Sequence, residues 1–93
     1  MILSIQEITD LQIEYGMSDV QDMINDGSAW TLEGSVGRYA MRCLEEGACF
    51  LPNEHFYGAY GNKIPRRGSI KEGSVGSLTL SSLYWSEKIN HIE

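Results

Sequence analysis

Apolar residues return at three- and four-residue steps through the first half of the chain, the period of a helix with one buried face. Ile5, Ile8, Leu11 and Tyr15 share such a face, and Ser4 with Glu7 has the spacing of a capping box at its start. Gly16 offers the left-handed residue that closes a helix. Ser18 with Gln21 repeats the capping spacing, Val20, Met23 and Ile24 form a short apolar stripe, and Gly27 ends it. A third helix is expected to start near Ser35, to turn Val36, Tyr39, Ala40, Cys43 and Leu44 inward, and to stop at Gly47.

The second half changes character. Ala48 to Leu51 is an apolar run ahead of Pro52 and reads as a buried strand. Asn53 to Pro65 reads as a long loop carrying glycines and aromatic residues, and loops of that length in small domains are usually functional or disordered. Ser69 to Lys71, a turn over Glu72 to Gly76, and Ser77 to Leu80 predict a hairpin near 69–80. Ser81 to Glu93 fits a strand through Tyr84 and Trp85 or a short helix. The expected fold class is therefore α+β, three short N-terminal helices followed by a small antiparallel sheet, in a single domain over 1–93. Glu-Gly-Ser-Val-Gly occurs at 33–37 and again at 72–76, but the flanks differ in their apolar period, so the pair reads as shared turn chemistry rather than a repeat.

Residues 67–78, Arg-Gly-Ser-Ile-Lys-Glu-Gly-Ser-Val-Gly-Ser-Leu, resemble the glycine-punctuated hairpin of KOW-type segments in small Src-homology-like barrels. The resemblance implies a binding module for nucleic acid or protein rather than a catalyst.

Composition narrows the class. The chain has 93 residues, 42% hydrophobic and 22% charged, which excludes a disordered polymer. Its longest unbroken apolar run, Ala48 to Leu51, is far below the roughly 20 residues of a membrane span. No charged leader with an apolar stretch opens the sequence, so a cytoplasmic protein is expected, with Cys43 and Cys49 as reduced thiols. Charge is unevenly divided. Residues 1–54, mainly helical over 1–47, hold ten acids and two bases, a balance of −8; residues 55–93 hold three acids and five bases, +2, which together give the net −6.

Few patterns carry chemistry. Gly34, Ser35, Gly37 and Arg38, at the expected start of the third helix, form a candidate anion site, because free N–H groups and the helix dipole favour phosphate or carboxylate there. The simpler reading makes Ser35 a cap and Gly34 a turn. Asp22, Asp26, Gly27 and Glu33 have part of a calcium-loop spacing, but Ile24 stands where an oxygen ligand is needed. Cys43, Cys49, His55 and His91 lack the paired spacing of a zinc site. Asp10 with Glu14, and Asp22 with Asp26, each lie one helical turn apart and read as a solvated face rather than an acid–base pair. His55 and His91 come with no nucleophile signature. Neither catalysis, nor a metal, nor a cofactor is expected.

The strongest cluster is Phe56, Tyr57, Tyr60, Lys63, Arg66, Arg67 and Lys71, where aromatic rings alternate with cations. Such a mixture suits a protein interface or stacking on nucleic acid, while the simpler reading packs Phe56 and Tyr57 in the core. Together with the acidic helical face of Asp10, Glu14, Asp19, Asp22 and Asp26, the cluster predicts a non-catalytic binding protein, regulatory, adaptor or inhibitory, with a protein partner. A nucleic-acid-binding module using the basic loop is the alternative, and an anion- or nucleotide-binding protein at Gly34 to Arg38 a second. Self-association into a homodimer is compatible with an exposed aromatic loop.

Overall fold

The structure, a computed structural model, describes residues 2–31, 34–58 and 61–90. Helix α1 spans Ile5–Glu14 and opens as expected: Ser4 Oγ accepts the Glu7 N–H at 3.1 Å and Glu7 Oε1 accepts the Ser4 N–H at 2.9 Å. Helix α2 spans Ser18–Asp26 and begins without a side-chain cap. Ser18 is its first helical residue, so the second expected capping box does not form; Gln21 turns its amide into the core instead. Gly27, at φ +85°, closes α2, and a single 3-10 turn over Ser28–Trp30 leads on. Helix α3 spans Gly34–Glu46 and buries Ala40, Cys43 and Leu44. Ser35 therefore lies inside the helix and does not cap it, and Tyr39, expected inward, is 46% exposed with its hydroxyl against Met17 Sδ.

Beyond Gly47 the architecture departs further from the expected sheet. Ala48 to Leu51 is buried as expected, but it is irregular backbone rather than a strand. The sheet consists of strand β1 (Phe56–Tyr57) antiparallel to β2 (Lys63–Ile64), with Phe56 opposite Ile64 and Tyr57 opposite Lys63. It lies inside the segment read as a loop. The hairpin expected near 69–80 is replaced by a 3-10 turn at Arg67–Ser69, a turn over residues 71–77, and helix α4 at Leu78–Asn90. The cause is local: Ser77 Oγ accepts the Leu80 N–H at 3.1 Å and Ser77 O accepts the Ser81 N–H at 3.2 Å, a serine cap where a second strand was expected. The described part of the final segment is accordingly helix through Asn90.

Four helices and a two-stranded antiparallel sheet make the described fold mixed but dominated by helix. One apolar cluster runs through it, from Leu3 to Trp85, with Ile8, Ile24, Leu44 and Trp85 sealed from solvent. Helix α4 meets this cluster through Ser81, Ser82, Trp85 and Ser86, and Ser82 Oγ accepts the Leu3 N–H at 2.6 Å. Among the described residues no helix is long and apolar enough to cross a membrane.

Candidate functional site

An irregular segment buried in a core must have its peptide groups satisfied by something other than a neighbouring strand. Side chains do this here. Gln21 acts as a one-residue strand: its Oε1 accepts the Phe50 N–H at 3.0 Å and its Nε2 donates to Phe50 O at 2.9 Å. Gln12 Nε2 donates to Ala48 O at 2.9 Å, and Trp85 Nε1 donates to the same oxygen at 3.1 Å. Gln12 and Gln21 are joined by a 2.8 Å bond from Nε2 to Oε1. Further along, the Leu51 N–H donates to Gly76 O, and Arg67 Nη1 and the Arg67 N–H donate to Leu51 O and Pro52 O, each at 2.8 Å.

Phe50 of this laced segment, with buried Gln12 and Gln21, forms the floor of a cleft of about 810 Å³, within the usual size of a ligand site. One wall is α1, through Ile5, Thr9 and Ile13. A second is α2, through Ser18, Asp22, Asn25 and Asp26, and the third is Pro52, Asn53, Glu54 and Phe56 with Arg67. Ile5, Thr9 and Ile13 recur every fourth residue and so line one face of α1; Ile13 is 62% exposed. Gly27 fixes the far end. Its left-handed conformation turns the chain, and a Cβ there would come within 2.5 Å of the Phe56 ring, which lines the cleft.

The acidic face and the aromatic–basic loop thus meet, though only in part. Asp22, Asp26, Phe56 and Arg67 line the cleft, whereas Asp10, Glu14 and Asp19 are exposed outside its lining. Tyr57 is 59% exposed and stands edge-on to the His55 ring at 5.6 Å, opposite exposed Lys63 across the sheet. Arg66 and Lys71 are exposed beyond the cleft, and Tyr60 lies outside the described residues. Arg67 is occupied by the fold: besides Leu51 O it binds Asn53 Oδ1 at 2.8 Å and covers the Phe50 ring at 5.5 Å. Asp26 accepts the Ser28 N–H at 2.8 Å, and hydrogen bonding to the Ser28 side chain and backbone holds its carboxyl below the usual range.

The other candidates are placed as follows. Gly34 begins α3, and the Arg38 guanidinium folds back over it, 2.9 Å from where a Gly34 Cβ would sit; Ser35 is exposed, and the space at Gly37 is bounded by Ala29 O. Ile24, at the third position of the calcium-loop spacing, is sealed in the core, and Glu33 lies outside the described residues. Cys43 and Cys49 are free, buried thiols whose backbones join through a 3.2 Å bond from Cys49 N–H to Cys43 O. Burial raises the pKa of both thiols, with the neighbouring Cys43 adding to the rise at Cys49. His55 is exposed, and His91 lies outside the described residues. Among the described residues no group of three or more His, Cys, Asp or Glu is placed to hold a metal ion.

Sequence reasoning missed Gln12 and Gln21. The signal was present, since Gln12 follows Ile8 by one helical turn and Gln21 precedes Ile24 by three residues, so both amides sit among core-facing positions. Comparison of the chain with family models, with curated proteins and with solved structures finds no match.

Proposed function

We propose that this chain is a non-catalytic binding protein, a regulatory, adaptor or inhibitory module that takes a segment of a protein partner in the cleft between α1, α2 and residues 50–56. The observation that carries this reading is the meeting of exposed apolar side chains, Ile5 and Ile13, with carboxylates over a rigid, hydrogen-bonded floor. Apolar anchors surrounded by polar groups are the composition of protein-recognition surfaces. A preformed floor also lowers the ordering cost of association. Tyr57 and Lys63, exposed on the adjoining sheet, extend the surface beyond the cleft.

Affinity capture from native lysate tests the reading. The Ile5→Ser/Ile13→Ser variant should lose prey that the unaltered protein and a Tyr39→Ser/Met41→Ser control on α3 both retain. Identical prey lists for the cleft variant and the unaltered protein would remove the cleft from the function.

A further inference from the structure

Formal charge in the cleft is one-sided. Gln21 is saturated, its Nε2 donating to Asn25 Oδ1 and Phe50 O and its Oε1 accepting from Gln12 and Phe50. Both Nε2 hydrogens of Gln12, which is buried at the floor, are occupied. Asp22 and Asp26 on α2 and Glu54 on the facing wall add carboxylates. Three carboxylates against the one guanidinium of Arg67 give the lining a formal −2, and that guanidinium is turned onto Leu51 O and Asn53. A cleft with a negative lining fits a positively charged occupant.

Spacing narrows the occupant. Asp22 and Asp26 are one helical turn apart, about 6 Å along α2. Alternate residues of an extended chain are about 6.6 Å apart on one face. Ile5 and Ile13 lie about 12 Å apart along α1, so the opposite wall runs the length of three to four extended residues. We propose that the cleft binds an extended cationic peptide segment whose basic side chains, at alternate positions, meet Asp22 and Asp26 while its other face packs on Ile5 and Ile13. The proposal rests on the binding reading above and supplies its partner chemistry.

The test is fluorescence anisotropy with three labelled octapeptides. One places lysines at alternate positions among serine and isoleucine; the second has the same residues with the lysines adjacent; the third replaces lysine by glutamate. The alternating lysine peptide should bind tightest and should weaken as salt is raised. Asp22→Asn/Asp26→Asn, exposed substitutions that retain the acceptor for Ser28, should weaken it roughly fivefold or more. Ile5→Ser/Ile13→Ser should weaken it as well. Equal binding of the lysine and glutamate peptides, equal binding of the two lysine isomers, an indifferent Asp22→Asn/Asp26→Asn variant, or no binding of any peptide would each overturn the proposal. If these results fail while Ile5→Ser/Ile13→Ser still loses lysate prey, the cationic-peptide inference falls and the binding reading stands. Unchanged prey would instead overturn the binding reading itself.

Discussion

Replacing Gln21 by leucine keeps a side chain of comparable bulk and removes both of its polar atoms. The Phe50 N–H and Phe50 O then lose the partners that hold them at 3.0 and 2.9 Å, inside a segment where Cys49, Phe50 and Leu51 are all buried, and buried Gln12 Nε2 loses its 2.8 Å acceptor. Each orphaned buried group costs about 1–3 kcal/mol. The similar bulk keeps any cavity contribution small, so the expected loss from the two Phe50 groups alone is about 2–6 kcal/mol. Domains of this size are stable by only about 5–15 kcal/mol. At about 4–8 °C per kcal/mol the melting temperature should fall by roughly 10–50 °C. Urea unfolding followed by the fluorescence of buried Trp30 and Trp85 measures it, and the unfolding slope should stay constant. Gln21→Glu supplies the control. Its carboxyl retains the acceptor for Phe50 N–H, and only its protonated form returns a donor to Phe50 O. Burial raises its folded-state pKa, so this variant should be most stable at low pH and lose stability as pH rises through that value. A leucine variant within about 1 kcal/mol of the unaltered protein would refute the idea that one amide stands in for a strand.

Two further outcomes follow from the same geometry. Gly47→Ala should destabilise by about 2 kcal/mol or more in a thermal melt, since φ is +97° and the added Cβ would lie 2.8 Å from the Leu80 backbone oxygen, where α3 passes α4; an unchanged melting temperature would contradict that close approach. Cys43 and Cys49 have folded pKa values raised by burial, so their contribution is complete below the unfolded thiol value of about 8.5 and is lost as pH rises above it. Stability measured from pH 7 to 10 should therefore decline, and Cys49→Ala should flatten the decline.

Local chemistry along the chain was enough to place the first three helices. The Ser4–Glu7 capping box forms, and Gly16, Gly27 and Gly47 all take the positive φ that a helix stop requires. From sequence, helix α4 stays open between strand and short helix, and its first turn reads as strand, because its buried face carries Ser81, Ser82 and Ser86 around Trp85, while Leu83 is 56% exposed. Hydropathy marks a buried face only where burial is apolar, and small residues allow close packing without that mark. The site divides along similar lines. The sequence alone showed an acidic helical face and a cluster of rings and cations. That Asp22 and Asp26 would share a cleft with Phe56 and Arg67, and that Arg67 would be turned onto Leu51 and Asn53, came only with folding.

The apolar run at Ala48 to Leu51 shows where the division falls. Its burial was determined by composition, because apolar side chains leave water wherever the chain permits. Its conformation was decided by Gln12, Gln21, Trp85 and Arg67, which reach it from 16 to 37 positions away and bind its peptide groups. A peptide group needs a hydrogen-bond partner, and nothing within the run specifies whether that partner is another strand or an amide side chain. Only the assembled tertiary structure makes that choice.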